Sequence, residues 1–221
     1  MSKDYGQFCG LAKAGSVLGE RWSLLLVRDL SVGPRRFKDL HEGLPGIPTS
    51  VLTSRLRDLQ AAGVVSRVAD ERPGRGVLYA LTPHGAALEP ILDALGRWGA
   101  RTMAVPEPGD VVTDASLAAA LRAGYRPGVL KEATSYAVHA GLAAAWARAT
   151  PDQVTVGMGQ PGAASGLVIH AGPELRALLA GRLAPADALA SGAVRIEGSL
   201  EAFETFARAF HVPLADTVGA G

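Results

Sequence analysis

Thr49, Ser50, Thr53, Ser54 and Arg57 place four short hydroxyls and a guanidinium along one segment of the chain. Between them, Leu52, Leu56 and Leu59 recur at i, i+4 and i+7. That spacing predicts a helix from Thr49 to Ala62 with a narrow apolar stripe, closed by Gly63. The opposite side then carries Ser50, Thr53, Ser54, Arg57 and Ala61, with no acid. A merely solvated helix face usually carries Glu and Lys together. Short hydroxyls beside a cation let a helix approach a surface rich in hydrogen-bond acceptors. The roughly 12 Å major groove of duplex DNA is such a surface.

Other cations fall where they can support that contact. Arg72 and Arg75 lie in the turn Asp70-Glu71-Arg72-Pro73-Gly74-Arg75 between two β-type runs, Val64–Ala69 and Gly76–Leu81. On a turn tip they can reach phosphates or the minor groove. Arg35 and Arg36 open a short helix over residues 36–41 and can anchor on the backbone. Cys9 is the single cysteine, so it cannot form an intramolecular disulfide. With Lys13 one turn away it is a candidate redox or electrophile sensor, or a small residue in a subunit contact. No Cys/His cluster has metal-ligand spacing, and no nucleophile–base pair stands out. The run Gly157-Met158-Gly159-Gln160-Pro161-Gly162 lacks the Lys-Ser/Thr of a phosphate loop and reads as a hairpin loop. The sequence therefore predicts no metal, no cofactor and no enzyme.

The elements that must hold these residues follow from periodicity. Phe8–Leu18 and Glu20–Leu30 read as helices, the second with Trp22, Leu25, Leu26 and Leu30 on its buried face. Thr82-Pro83 opens a long helix to about Met103, with Leu88, Ile91, Leu92, Leu95 and Trp98 as a broad apolar stripe that looks for a partner. The proline-rich stretch Val105–Asp110 ends it and marks the expected seam between a domain over 1–105 and another over 110–221. The halves differ in charge, the first carrying 14 basic and 10 acidic residues, the second 8 and 11. Only the first is expected to meet a polyanion. In the second half, helices over 114–123, 173–183, 185–190 and 199–210 accompany strands over 134–140, 154–158, 167–170 and 194–197. The reading is α+β, with an antiparallel sheet and helices on one face. No apolar run is long enough for a membrane span, and the polar N-terminus carries no secretion signal, so a cytoplasmic protein is expected.

Helix, helix, turn, helix and a two-stranded wing is the layout of a winged helix-turn-helix. Residues 9–99 resemble the HxlR-type transcriptional regulators, relatives of the MarR group. The matching stretches are Gly19-Glu20-Arg21-Trp22 through Leu30, Gly33–Leu40, Pro45-Gly46-Ile47, Val51–Leu59, Tyr79-Ala80-Leu81-Thr82-Pro83-His84-Gly85 and Trp98-Gly99. Glu20 stands where the family pattern has lysine. The resemblance implies a homodimer on a near-palindromic operator, with terminal helices forming the dimer interface. The second half more loosely resembles the sterol-carrier-protein-like domain of some relatives, in Leu175–Leu183, Ala188–Gly192 and Val194–Gly198. Such domains often enclose an apolar cavity. That resemblance makes Tyr136, Val138, Trp146, Val156, Met158, Phe203 and Phe206 candidates for lining one, against the plainer reading that each is core.

The expected function is a DNA-binding transcription regulator acting as a repressor. Its partners would be double-stranded DNA, a second copy of the chain and a hydrophobic small-molecule effector in the C-terminal domain. Two alternatives stand beside it. One is a DNA-binding regulator whose C-terminal domain only dimerises, and the other a small-molecule carrier with no DNA role.

Overall fold

The computed structural model describes residues 5–70, 76–103, 106–162 and 165–215. The chain packs as two units, Met1–Leu92 and Asp93–Gly221.

The first unit contains α1 (Gly10–Leu18), α2 (Ser23–Ser31), α3 (Phe37–Gly43), α4 (Thr49–Ala61), β1 (Val65–Ala69), β2 (Val77–Leu81) and α5 (Pro83–Ala86). Its core is a cluster of leucines from the helices: Leu26 and Leu30, Leu40, then Leu52, Leu56 and Leu59. The strands close it with Val65 and Tyr79. Gly63 takes φ +70° after α4, and the Val64 amide returns to the Leu59 carbonyl, so the helix stops where its stripe ends. β1 and β2 pair antiparallel, Val65 opposite Leu81 and Arg67 opposite Tyr79. Arg35 exchanges both backbone hydrogen bonds with Tyr79, which ties the lead into α3 to the hairpin.

The single long helix expected from Pro83 to Met103 is two helices. α5 ends at Ala86, a turn follows at Ala87-Leu88, and α6 (Glu89–Ala100) begins afresh. Pro90 explains the break, since it has no amide to bond the Ala86 carbonyl and is well suited to the first turn of a new helix. The division between the units falls inside α6. Leu88 and Leu92 pack on the first unit's core.

The second unit holds the rest of α6, then α7 (Asp114–Gly124), β3 (Thr134–Ala140), β4 (Ala143–Ala149), β5 (Val154–Met158), β6 (Leu167–Ala171), α8 (Leu175–Leu179), α9 (Pro185–Ala190), β7 (Val194–Glu197) and α10 (Leu200–Ala209). Arg122 grips Asp93 at 3.0 Å and Arg97 donates to the Ala123 carbonyl at 2.9 Å, so α6 is fastened to α7. The residues 106–110 are therefore a connection within this unit.

The sheet runs β5-β4-β3-β6-β7. It is mixed, which corrects the expected antiparallel sheet: β3 and β6 are parallel, with Tyr136 beside Leu167 and Val138 beside Ile169. The chain leaves β5 at one edge and re-enters beyond β3, so β6 runs with β3 instead of against it. One face of this sheet carries Tyr136, Val138, Ala145, Ala147, Val156, Leu167 and Ile169, all buried. α10 packs on that face, Phe206 lying 5.3 Å from the Tyr136 ring and Phe210 5.5 Å.

Candidate nucleic-acid interface

α4 presents the two faces that its sequence predicts. Leu52, Leu56 and Leu59 are buried, whereas Ser50, Thr53, Arg57 and Ala61 are exposed and Ser54 is half-buried. Arg57 forms no ion pair with any described residue, so its guanidinium is unclaimed. The Thr53 hydroxyl donates to the Thr49 carbonyl at 2.8 Å, leaving its lone pairs outward. Thr49 meets His41 Nε2 at 3.3 Å, which links the first turn of α4 to α3. Pro48 precedes the helix, no side chain caps it and its first turn holds no acid. Those first-turn amides and the positive end of the helix dipole favour an anion such as a phosphate.

The arginines at the start of α3 are held within the protein. Arg36 pairs with Asp70 at 2.6 Å, joining the head of α3 to the turn end of the hairpin, just past β1. Arg35 donates to the Asp39 carbonyl at 3.2 Å. Both thus position α3 and the hairpin. Arg72 and Arg75 lie outside the described residues. Arg67 on β1 is exposed, stacks its guanidinium 5.4 Å from the Tyr79 ring and donates to its hydroxyl. It extends the cationic surface along the hairpin, and the sequence reading missed it. The two-residue period of β1 would have shown it opposite Tyr79 on one face.

Beneath this surface lies Asp29 on α2, fully buried. Arg28 donates to its Oδ1 from both Nε and Nη2, at 2.9 and 2.7 Å. Burial pushes the Asp29 carboxyl above its ordinary range, with Arg28 and Arg35 opposing the rise. Asp29 Oδ2 lies against the C-terminal end of α3, where a Cβ at Gly43 would meet it at 3.2 Å, so α3 packs closely on α2 there.

Cys9 is exposed at the start of α1. Hydrogen bonds from the backbone amides of Ala12 and then Leu11 hold its thiol below the usual 9.0. These first-turn amides, not Lys13, stabilise the thiolate. The pH profile of iodoacetamide alkylation is expected to have its midpoint below that of the same cysteine in the urea-unfolded chain. A midpoint at or above that value would count against an activated thiol.

The apolar stripe on α6 divides. Leu88 and Leu92 are half-buried, packed against the first unit's core. Ile91, Leu95 and Trp98 stay exposed, at 52, 44 and 69%. Phe8, Leu11, Leu24 and Leu25 are exposed as well, on or next to α1 and on α2. The sequence reading did not single them out, because Leu25 was taken as part of the buried face of its helix.

The candidate ligand residues of the second unit do not share one site. Tyr136, Val138, Val156 and Met158 share one face of the sheet; Phe206 lies against it at Tyr136, whereas β4 and β5 pack against α7. Trp146 pairs with Ala137 and Gly157, so it points from the opposite face of the sheet. Its ring lies on the Gly157 backbone, where a Cβ would meet it at 2.2 Å. This corrects the expectation that Trp146 lines the same cavity as Tyr136.

A family profile described as HxlR-like helix-turn-helix matches residues 17–106. The helix-turn-helix-type transcriptional regulator sll1512 of Synechocystis is 39% identical over 95 residues, which is 42% of this chain and 70% of the relative. The helix-turn-helix-type transcriptional regulator YodB of Bacillus subtilis is 36% identical over 105 residues, 47% of this chain and 90% of the relative. The solved reduced form of YodB aligns at 33% identity and a TM-score of 0.39, over 47% of this chain and all of that one. Residues beyond 106 lie outside the family match.

Proposed function

The chain belongs to the HxlR-like helix-turn-helix family, and from that premise we propose that it is a DNA-binding regulator of transcription that acts as a homodimer and represses from a near-palindromic operator. Its relatives are transcriptional regulators, and the chain is not an enzyme. The observation that carries the reading is the outward face of α4, with Ser50, Thr53 and an unclaimed Arg57 exposed above a leucine-filled core. In this reading α4 enters the major groove, its hydroxyls and guanidinium meet base edges, and the hairpin lies along the phosphates. Two copies would place their α4 helices about one helical turn apart. No described helix is long and apolar enough to cross a membrane. A regulator of transcription works beside the chromosome, and we assign it to the cytoplasm.

A mobility shift on the promoter of the protein's own gene tests the proposal, and failure to retard any such fragment at low salt would overturn it. Arg57→Ala is expected to weaken specific binding by about 1–3 kcal/mol, because a guanidinium that reads base edges carries that much discrimination. Arg75→Ala is expected instead to lower affinity on every sequence and flatten the salt dependence, as a phosphate contact does. Equal losses of specific and non-specific affinity in both variants would contradict these roles.

For the second unit we propose an apolar small-molecule effector between the sheet and α10, supported by the buried apolar face formed by Tyr136, Val138, Val156, Phe203 and Phe206. Such a ligand shifts operator affinity only by its differential affinity for two states of the protein. A specific observation favours a second reading, a scaffold without ligand. Tyr136, Phe206 and Phe210 are already in mutual ring contact, with centroids 4.8–5.5 Å apart. Thermal shifts with a panel of lipids and aromatic metabolites separate the two.

A further inference from the structure

The five-stranded sheet of the second unit has two unlike faces. Along β4 burial alternates, with Ala143, Ala145, Ala147 and Ala149 buried, Ala144 and Trp146 half-buried and Arg148 exposed. α7 packs on β4 and β5, and α10 on Tyr136, so the alanine side is the covered one. Strand register puts Trp146 and Arg148 on the other face, together with His139 of β3, His170 of β6, and Arg195 and Glu197 of β7. Arg148, Arg195 and Glu197 are exposed there, and Trp146, His139 and His170 are half-buried. The open face is therefore polar and aromatic.

Three features give it a chemistry. Trp146 lies between Ala137 and Gly157, the small residues that pair with it. Its ring rests on Gly157, where a Cβ would meet it at 2.2 Å, and the Arg148 guanidinium stands 5.4 Å from the ring centre. The indole is thus supported from below with a cation beside it. One step further along the strands, a polar row crosses the sheet. Gln160 Nε2 lies 3.3 Å from His139 Nε2, the His139 and His170 rings stack at 4.7 Å with planes 10° apart, and His170 Nε2 lies 3.2 Å from Glu197 Oε1. Rings that stack across neighbouring strands stand upright, so these two turn their edges outward. The third feature is charge. Arg148 and Arg195 form no ion pair with any described residue, and Glu197 is turned to His170. The face carries a basic excess, whereas the second half as a whole has 8 basic and 11 acidic residues.

We propose that this open face binds single-stranded nucleic acid. A base stacks on the Trp146 indole, Arg148 and Arg195 meet phosphates, and the histidine row faces base edges. At about 4.8 Å between strands the sheet spans about 19 Å, and an open four-stranded sheet already takes two or three bases. The local sign of charge complements a polyanion although the net charge of the second half does not. A protein partner or a second copy would need an apolar centre to bury. Among the described strand residues on this face, Trp146 and Val168 are the only large apolar ones, and both are half-buried. The bases of a duplex already stack on one another and offer the indole no free face, so the strand is single. This surface belongs to the second unit and does not rest on the reading of α4.

The test uses the full-length protein with fluorescein-labelled oligo(U) and oligo(dT) of about twelve nucleotides, followed by fluorescence anisotropy. The expected result is saturable binding of a single strand, weakened by about tenfold or more in Arg148→Glu and in Arg195→Glu. Affinity for a labelled duplex promoter fragment should stay unchanged in both. Both arginines are exposed, so the variants should fold, and an unchanged melting temperature verifies that. In the parent protein, the indole N–H signal that disappears in Trp146→Phe should move on addition of the oligonucleotide. Tighter binding of oligo(U) assigns the face to RNA, tighter binding of oligo(dT) assigns it to single-stranded DNA, and equal binding assigns a contact blind to the sugar. No binding, or binding that neither charge reversal weakens, overturns the proposal. An indole signal that stays in place overturns the stacking on Trp146. Equal losses on strand and duplex overturn the preference for a single strand. A fall in sedimentation mass in both charge reversals gives the face to a second copy and overturns the proposal. Strand binding without retardation of any promoter duplex would sink the proposed function and leave this face standing.

Discussion

Phe206→Ala is expected to destabilise the second unit by about 3–5 kcal/mol, the cost of removing a large aromatic side chain from a packed core. Phe206 is fully buried, with its ring 5.3 Å from Tyr136 and 4.8 Å from Phe210. The variant would lose the transfer of the ring from water and two aromatic contacts, each of about 0.5–1.5 kcal/mol, and would leave a void that the rigid sheet cannot close. Burial also keeps the Tyr136 phenol above its usual 10.0, so its neutral ring is what Phe206 meets. Urea denaturation followed by a probe in the second unit measures the loss. The same experiment bears on the effector. If the rings line a flexible space that closes when one is removed, the loss should fall below about 2 kcal/mol, since the cost depends on how far the site collapses. A loss in the full range instead supports the scaffold, and operator binding under native conditions should then survive the substitution.

The parts of this fold that were legible in the sequence are those governed by local period. Leu52, Leu56 and Leu59 could only be one face of a helix, and Gly63 could only end it, so the outward set Ser50, Thr53 and Arg57 followed. Local period also marked β3, α9 and β7 to the residue. It said nothing of β4, whose run Ala143–Ala149 is alanine broken by Trp146 and Arg148. Alanine carries little strand preference, and the strand exists because β3 and β5 pair with its two edges. Alternation placed Tyr136 and Val138 on one face of their own strand, but the face taken by Trp146 depends on register with β3. The parallel pairing of β3 with β6 is likewise a matter of which edge the chain re-enters. At the candidate DNA surface the same limit applies. The Arg36–Asp70 pair joins residues 34 apart, so no local pattern could show that this arginine is engaged. Pro90 was, like the two-residue period of β1, a local signal present and not weighed, and it breaks the long helix.

The stripe left on α6 carries the other large expectation. Trp98→Ala should raise the dimer dissociation constant by about 30-fold or more, because a tryptophan anchoring an interface commonly contributes about 2 kcal/mol or more. A two-fold interface contains the substituted position twice, so about 30-fold is the effect of one copy and the two together approach about 1,000-fold. Ile91, Leu95 and Trp98 follow one another at i, i+4 and i+7, so they share a side of the helix. The flanks are otherwise engaged, with Leu92 in the first unit's core, Asp93 held by Arg122 and Arg97 bonded to the Ala123 carbonyl. What is left is an apolar strip with no described side chain to cover it, and an exposed tryptophan of this size has about 150–250 Å² to bury. A second copy of the chain supplies the same strip and the same need, which is why a self-complementary contact is the expected answer. At 69% exposure Trp98 contributes little to the fold of one copy, so thermal stability at high dilution should move by no more than about 0.5 kcal/mol. Sedimentation equilibrium at micromolar concentration gives the dissociation constant. Operator binding gives a second readout, since loss of the dimer should weaken a two-half-site fragment far more than a single half-site. A variant that sediments as the parent does, with undiminished preference for the paired half-sites, would remove α6 from the interface and leave the exposed Phe8, Leu11, Leu24 and Leu25 surface as the place where two copies meet.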